Sequence, residues 1–406
     1  MPKKRRSRAN IKIASLNMRG GGPNMIQEKW YHINQLLRDG KIGILALQET
    51  HTTDTLISSL HSLFGKRLLI FHSMDPDTPN SKGVAIVLNK EILHTENIKC
   101  QNIIPGRALL LSVQWHTSTI TVLAIYAPNP PAENRDFWVA LHQNWDDLDL
   151  PKPDIMLGDF NLVEDALDRL PSHPDNQAAV LSLEQLKSLF HVQDGWRKSN
   201  PAPHKAYTYL QSNHNGSQSR IDRIYITDPL EQTCLNWEIS PPGIPTDHSL
   251  VSVHMSNPKI PFVGRGRWSL PLYLLHDKSL KEHIHQLGLK LQSDLESCRH
   301  SRTPEMNPQI LFKSFKDSIT KSARKRAKAT IPKMEIAIQK LQSQLQDTLN
   351  NPEDETTQAE ASAAIQEKIS RLTIQRHNHT RASATARNRL EGETISKYWS
   401  GINKAK

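Results

Sequence analysis

Between residues 10 and 256, short apolar runs alternate with polar, turn-rich stretches and a few longer segments of helical period. The runs at 11–16, 42–47, 68–72, 83–89, 108–115, 119–126, 154–158, 206–211, 220–226 and 250–255 have the length and composition of strands. Ile26, Trp30, Ile33 and Leu37 recur at helical spacing and predict an amphipathic helix after the glycine-rich turn Gly20–Gly22. That turn lacks the spacing of a phosphate-binding loop and reads as a flexible strand-to-helix connection. Leu56–Phe64, Glu133–Trp145 and Leu181–Phe190 predict further helices, and 108–115 with 119–126 reads as a hairpin. Hairpins mixed with crossover helices argue against a purely parallel sheet. They predict an α/β sandwich of two mixed β-sheets with helices outside.

Near residue 257 the pattern changes. A Pro/Gly/Arg-rich stretch, with Arg265 and Arg267 flanking Gly266, reads as a linker over 257–273. Beyond it the strand signal disappears, and Leu274–Leu295 and Ile310–Ala329 predict helices. Met334, Ile338, Leu341 and Leu345 follow a 4-3-4 spacing. Ile365, Ile369 and Leu372 repeat it after the polar break Asn350–Thr357, which predicts a helical hairpin with a short coiled-coil seam. The expected organisation is a disordered basic tail at 1–9, an α/β domain at 10–256, the linker at 257–273 and a basic helical region at 274–406.

Charge sharpens this division. Residues 1–256 hold 25 Lys and Arg against 26 Asp and Glu, whereas residues 257–406 hold 26 against 15. A near-neutral front half joined to a basic back half suggests metal-dependent chemistry in front and polyanion affinity behind. Lys321, Arg324, Lys325, Arg326 and Lys328 form one basic cluster, and 371–389 carries a second. Neither a run of 18 apolar residues nor a secretory leader is present, so no membrane span and no secretion are expected. Three scattered cysteines offer neither a disulfide framework nor a zinc cluster and suit a reducing compartment. The expected location is intracellular, nucleus or cytoplasm, with Lys3–Arg6 as a possible nuclear address.

The polar residues at the strand ends carry the chemistry. Asn17 follows 11–16, Glu49 follows 42–47, and Tyr126 and Asn129 end 119–126. Asp159 and Asn161 close 154–157, two residues apart and so directed the same way, where they can share one water or one phosphate oxygen. Asp222 sits in Ser-Arg-Ile-Asp, and Asp247-His248 precedes 250–255. Phosphodiester hydrolysis needs a hard cation on oxygen ligands, an in-line water, and donors around the oxygens that gain charge. This set contains all three kinds of group.

Taken in order, Leu16-Asn17, Gln48-Glu49-Thr50, Tyr126-Ala127-Pro128-Asn129, Gly158-Asp159-Phe160-Asn161, Ser219-Arg220-Ile221-Asp222 and Asp247-His248 resemble the endonuclease/exonuclease/phosphatase superfamily, which includes DNase I-like and exonuclease III-like enzymes. The resemblance covers 10–256 and implies a four-layer α/β sandwich with the site at one rim. It implies a divalent cation, Mg²⁺ with Mn²⁺ as the alternative, held directly by Glu49 with support from Asn17 and Asp247. It further implies that Asp159 and Asn161 position the attacking water, with Asp159 as the base. His248, oriented by Asp222, would hold and neutralise the phosphate, and Tyr126 and Asn129 would bind it or stabilise its transition state. Exonuclease III-like members tend to have Asp where Arg19 stands. Arg is a permanent cation with donors only, which disfavours a second metal and makes Arg19 a candidate phosphate contact.

The run Gly158–Arg169 and the Gly-Arg-Trp linker look most like the endonuclease part of a non-LTR (LINE-type) retrotransposon polyprotein. No Asp-Asp hairpin of a polymerase follows, so the chain is expected to be a truncated or separately encoded part of such a polyprotein. The activity implied is single-strand nicking of double-stranded DNA, leaving 3′-hydroxyl and 5′-phosphate ends. The polar loop 212–219, with Asn213, His214, Asn215 and Gln218, is expected to bias the nicked position. The basic helices and Arg265 and Arg267 would add affinity for DNA, or for RNA. Two other readings stay open: a non-catalytic nucleic-acid-binding remnant, and a phosphatase or phosphodiesterase of the same superfamily.

Overall fold

The computed structural model describes residues 10–21, 23–78, 82–115, 118–211, 216–256, 270, 274, 277–299, 302–329, 333–351 and 354–391. The basic tail 1–9 and nearly all of the linker, including Arg265 and Arg267, lie outside these residues. So do Gly22, Asn213, His214 and Asn215.

In chain order the elements are β1 (Asn10–Asn17), α1 (Pro23–Gly40), β2 (Ile42–Gln48), α2 (Asp54–Phe64), β3 (Leu68–Ser73), β4 (Val84–Asn89), β5 (Lys99–Ile104), β6 (Ala108–Trp115), β7 (Ser118–Tyr126) and α3 (Pro131–Asp147). There follow β8 (Ile155–Asp159), β9 (Arg169–Leu170), α4 (Gln177–Phe190), β10 (Val192–Asp194), α5 (Gly195–Ser199), β11 (Tyr209–Leu210), β12 (Gln218–Ser219) and β13 (Asp222–Thr227). The last are α6 (Asp228–Glu231), β14 (Cys234–Ser240), β15 (Leu250–Ser256), α7 (Lys278–Ser297), α8 (Pro308–Ala329), α9 (Lys333–Asn350) and α10 (Glu355–Glu391).

Two six-stranded sheets form the body, one ordered β14-β15-β1-β2-β4-β3 and the other β10-β13-β8-β7-β6-β5. Each is antiparallel except for one central parallel pair, β1/β2 and β7/β8. Ile13, Ile44 and Ile86 of the first sheet meet Leu111, Val122 and Leu157 of the second in one core between the sheets. On the outer face of the first sheet, Ala14, Leu45 and Leu47 pack under Trp30, Ile33 and Leu37 of α1 and Leu60 of α2. On the outer face of the second, Leu110, Leu123 and Met156 pack under Trp138 and Leu141 of α3 and Leu183 and Leu186 of α4. Neighbouring residues of one strand therefore serve opposite cores. This is why β2, β4 and β8 are almost continuously apolar rather than alternating. The architecture is the expected four-layer sandwich, helix, sheet, sheet, helix, followed by helices only.

Strand direction sets the position of the functional rim. The parallel pairs end at the same edge, delivering Asn17 and Tyr126 at the ends of β1 and β7, Glu49 just past β2, and Asp159 at the end of β8. β13 runs antiparallel to β8 and starts there, so Asp222 stands opposite Asp159. β15 runs antiparallel to β1 and starts just after His248. A third small sheet, β11-β12-β9, lies beside this rim, and Tyr209 bridges to His248.

The described residues group into two compact units, one of Met1–Phe262 with Leu341–Asn378, the other of Val263–Lys340 with His379–Lys406. The helical region expected as one block is thus shared between them. Within the second unit, Leu280 and Ile284 of α7 pack against Ala323 and Ala327 of α8. Within the first, Leu345 and Leu349 of α9 and Ala359 of α10 pack with Leu170 and Tyr207. Leu345, expected in a coiled-coil seam, turns instead to the α/β body. Among the described residues no helix is long and apolar enough to cross a membrane.

Candidate active site

Asn17 is fully buried and joins the two sheets. Its Nδ2 donates to Glu49 Oε1 and to Asp159 Oδ2, each at 2.9 Å, while its Oδ1 accepts from the Arg19 amide at 2.8 Å. Tyr126 Oη donates to the same Glu49 Oε1 at 3.1 Å. Asp159 Oδ1 accepts the Asn161 amide at 3.0 Å, and Asn161 Nδ2 is tied to the Ala127 carbonyl at 2.9 Å. Glu49, Arg19 and Asn161 all have positive φ, at 51°, 46° and 50°. Such left-handed backbone costs energy and is held here by these hydrogen bonds. Gly158, at φ 153°, has no alternative: a Cβ there would sit 1.9 Å from the Ile125 carbonyl oxygen.

On the other side, His248 Nδ1 lies 2.9 Å from Asp222 Oδ2, with both side chains buried. Burial opposes the imidazolium. The charge and hydrogen bond of Asp222, together with Asp159 and Asp247, outweigh it and raise the His248 pKa to about 9. Burial, reinforced by Asp222, raises the Asp159 pKa to about 7 against the pull of His248 and the Asn17 and Asn161 hydrogen bonds. The site therefore pairs a cationic imidazole with a carboxyl poised to exchange a proton near neutrality. Arg19 Nη1 meets Asp247 Oδ2 at 3.1 Å, which places a permanent cation beside that carboxylate.

The donor set fits a divalent cation. Asp247 Oδ1 and Asp222 Oδ1 are buried acceptors without a hydrogen-bond partner among the described residues, a costly state that a cation would relieve. Asp159, Asp222 and His248 present ligand atoms all within 4.8 Å of one another and could hold a metal ion. That trio differs from the Glu49, Asn17 and Asp247 set implied by sequence. Within the trio His248 Nδ1 is engaged by Asp222, and in the other set Asn17 Oδ1 is engaged by the Arg19 amide and Glu49 Oε1 by Asn17 and Tyr126.

Nine predicted residues thus share one rim: Asn17, Arg19, Glu49, Tyr126, Asp159, Asn161, Asp222, Asp247 and His248. Asn129 does not join them. It is exposed on the loop after β7 and makes no hydrogen bond to this set. Gln218 requires a correction. It is not a surface donor for DNA but fully buried, its Nε2 donating to Ser362 Oγ at 2.6 Å. Lys321, Arg324, Lys325 and Arg326 are exposed on α8 in the second unit, where Arg326 is paired with Asp277 at 2.6 Å, and Lys328 lies on the same helix.

Several buried residues that shape the rim carry no sequence signal of their own. Lys29 of α1 donates to the carbonyls of Met18, Arg19 and Gly20 at 2.7, 2.5 and 2.8 Å, fixing the loop that presents Arg19. Asn134 of α3 donates to the carbonyls of Pro128 and Phe160, locking the loops of Tyr126 and Asp159 together. Thr208 Oγ1 accepts the amides of Ile221 and Asp222 at 3.1 and 3.0 Å.

Behind Asp222, Asp168 accepts two bonds from Arg220, at 2.9 and 2.6 Å, and one from Arg197. Arg220 also reaches Asp194 at 2.6 Å. Burial raises the Asp168 pKa, but Arg220, Arg223 and Arg197 overcome it and depress the carboxyl to about 2. A depressed folded-state pKa contributes stability that is present above the ordinary carboxylate range and lost as pH falls toward 2. Asp168 should contribute about 2 kcal/mol in this way. Asp168→Asn leaves the buried Arg220 and Arg223 with Asp194 as their shared counter-charge and should cost ~3 kcal/mol at neutral pH. Denaturant unfolding at pH 7 and at pH 3 checks both: the mutational loss should shrink at the lower pH. A constant or negligible loss would mean that the network does not hold the fold.

Residues 14–248 match the model of the Endonuclease/Exonuclease/phosphatase family. The chain is similar to the transposon TX1 uncharacterized 149 kDa protein of Xenopus laevis, 32% identical over 259 residues, which are 63% of this chain and 19% of that one. It thus spans about a fifth of that relative's length. Among solved structures it is similar to the AP endonuclease LMAP from Leishmania major, with a TM-score of 0.51 at 15% identity over 61% of this chain and 88% of that one. It is also similar to the 3′ phosphatase NExo from Neisseria bound to product DNA hairpin, with a TM-score of 0.50 at 17% identity over 61% of this chain and all of that one. At such identities these two likenesses establish the fold.

Proposed function

The chain belongs to the endonuclease/exonuclease/phosphatase family, and from that premise we propose that it is a divalent-metal-dependent DNA endonuclease that nicks one strand. The observation that carries this reading is the continuous hydrogen-bonded set Tyr126–Glu49–Asn17–Asp159, facing the Asp222–His248 pair across one rim. A cation held by Glu49, with Asn17 and Asp247, would supply charge to the phosphate oxygens. Asp159, held by Asn17 and the Asn161 amide, takes the proton of the attacking water. His248, kept cationic by Asp222, donates to a non-bridging phosphate oxygen and offsets its growing charge. Arg19 adds a donor on the same side, and Tyr126 holds Glu49 in place. Proton removal by Asp159 and in-line attack form the new P–O bond and break the bond to O3′, which takes a proton from solvent as the 3′-hydroxyl and leaves a 5′-phosphate. Similarity to a transposon protein supports an origin in a mobile element. The basic α8 supports added affinity for a nucleic-acid backbone, DNA or RNA.

The test is relaxation of supercoiled plasmid with Mg²⁺, with Mn²⁺ alongside. We expect nicked circles from the natural chain, and a rate lower by ~10²–10⁴-fold for Asp159→Ala. An inactive natural chain that still binds DNA would point to a binding protein. Equal activity in Asp159→Ala would remove Asp159 from the mechanism.

A further inference from the structure

The same rim opens into a cavity of about 830 Å³. One wall is catalytic, with Arg19, Glu49, Asp247 and His248. The opposite wall comes from α9 and α10, with Gln342, Leu345, Gln346, Gln366, Ile369 and Ser370. We propose that the segment 341–378 is a roof over the active site, which admits a single DNA strand while docked and an intact duplex only after it lifts. This rests on the nuclease reading above and names the form of substrate that the site accepts.

Three observations carry it. The first is size. A cavity of this volume is that of a small-ligand pocket. A duplex, whose major groove alone is about 12 Å wide, is far broader than the single strand that such a space would take.

The second is chemistry. The roof lines the cavity with amides, a hydroxyl and aliphatic side chains, and its one charged lining residue there is the acidic Glu367. Cations face the cavity only from the catalytic side, where Lys29 is already spent on three carbonyls. Such a space suits one strand, its phosphate toward Arg19 and His248 and its base edges toward the glutamines. It offers nothing to the second backbone of a duplex.

The third is the way the roof is fastened. A small apolar cluster of Leu170, Tyr207, Leu349 and Ala359, with Leu345 against it, lies at the centre. Around it are polar bonds: Gln218 to Ser362 at 2.6 Å and to the Ala359 carbonyl at 3.4 Å, the Ser172 amide to Glu355 at 2.9 Å, Gln346 to His204 at 3.3 Å, Lys205 to Gln358 at 3.4 Å, and Gln35 to the His377 carbonyl at 3.3 Å. Gly216 lies directly under α10, where a Cβ would sit 2.7 Å from the Ala359 carbonyl oxygen. Gly216 and Gln218, the described part of the loop that sequence suggested for reading DNA, are thus covered by the roof and freed when it lifts. A handful of exchangeable contacts is what a segment that docks and undocks requires.

The test staples the roof shut in the full chain. With the exposed Cys100 changed to Ser, paired cysteines are introduced as Ser172→Cys with Glu355→Cys and, independently, His204→Cys with Gln346→Cys, and each pair is joined by a short bis-maleimide. Cleavage of one labelled duplex and of the same sequence as a single strand is then compared before and after stapling. Stapling should lower duplex nicking by at least about tenfold, because only the undocked fraction is competent, and should change single-strand cleavage by less than about twofold. The opposite perturbation, Leu349→Asp with Ala359→Asp, should raise duplex nicking relative to single-strand cleavage. Equal duplex nicking with and without the staple would overturn the roof as a gate. Loss of single-strand cleavage on stapling would overturn the cavity as a strand site. Anisotropy binding of both DNAs to Asp159→Asn, stapled and unstapled, gives the same ratio without chemistry. Failure of hydrolysis in every sample therefore counts against the nuclease reading alone, and the binding ratio still decides the roof.

Discussion

His248→Ala should lower nicking by ~10²–10⁴-fold, Asp222→Asn by a smaller factor of about 10–10², and the double variant by no more than His248→Ala alone. The reason is geometric. Asp222 makes its hydrogen bond at the site to His248, at 2.9 Å on Nδ1, and its other oxygen has no protein donor among the described residues. With the imidazole gone, the carboxylate has no imidazole left to orient or to keep charged and only raises the Asp159 pKa further, so its loss should add little. Fully multiplicative losses in the three variants would mean that Asp222 acts independently, for example as a metal ligand within the Asp159, Asp222 and His248 trio. The same kinetics therefore separate two uses of one buried carboxylate. Each variant must keep the unfolding transition of the natural chain, because removing one partner of a buried charged pair also costs stability.

The site was legible in sequence because its residues sit where strands end, and strand ends were readable. β2 and β8 are apolar along nearly their whole length and β7 over its second half, since each serves two cores, so their ends are sharp and Glu49, Tyr126 and Asp159 stand out there. β5 was missed for the opposite reason. Lys-Cys-Gln-Asn-Ile-Ile lies at a sheet edge, four of its six residues are exposed, and its hydrogen bonds go to one neighbour only. β14, another edge strand with mixed burial, escaped in the same way. β9 and β12 are two residues each, too short to leave a period.

Supporting residues are a different kind of loss. Asn134, Thr208 and Lys29 act on backbone groups of loops far from them in the chain, and no spacing rule connects a helix lysine with three carbonyls at 18–20. The helices of the back half show what a period can and cannot tell. The 4-3-4 spacing correctly marks Leu345 and Ile369 as buried or partly buried positions, but amphipathicity gives a face and not its partner. Their partner is the α/β body near the active site, and Gln218, read as a base-reading donor because it is polar and in a loop, is instead the acceptor-seeking anchor for Ser362.

Glu49→Gln should abolish Mg²⁺-dependent nicking, with a loss of about 10³-fold or more, while leaving the fold intact. Glu49 Oε1 accepts from both Asn17 Nδ2 and Tyr126 Oη. A glutamine carbonyl oxygen can take both bonds in the same place, so the left-handed backbone at this position keeps its supports. What disappears is one negative charge from a site that also holds Asp159 and Asp247, and with it the attraction for a hard dication. Two thermal measurements tell these consequences apart. Without metal, the variant should unfold at the same temperature as the natural chain or higher, because carboxylate repulsion is relieved. With Mg²⁺ in excess, the natural chain should gain stability in proportion to the logarithm of free cation, and the variant should gain little. A variant that keeps the Mg²⁺-induced rise and the nicking rate would move the cation away from Glu49, to the Asp159, Asp222 and His248 trio. A variant that unfolds early without metal would show that the carboxylate is structural and that its loss of activity says nothing about the ion.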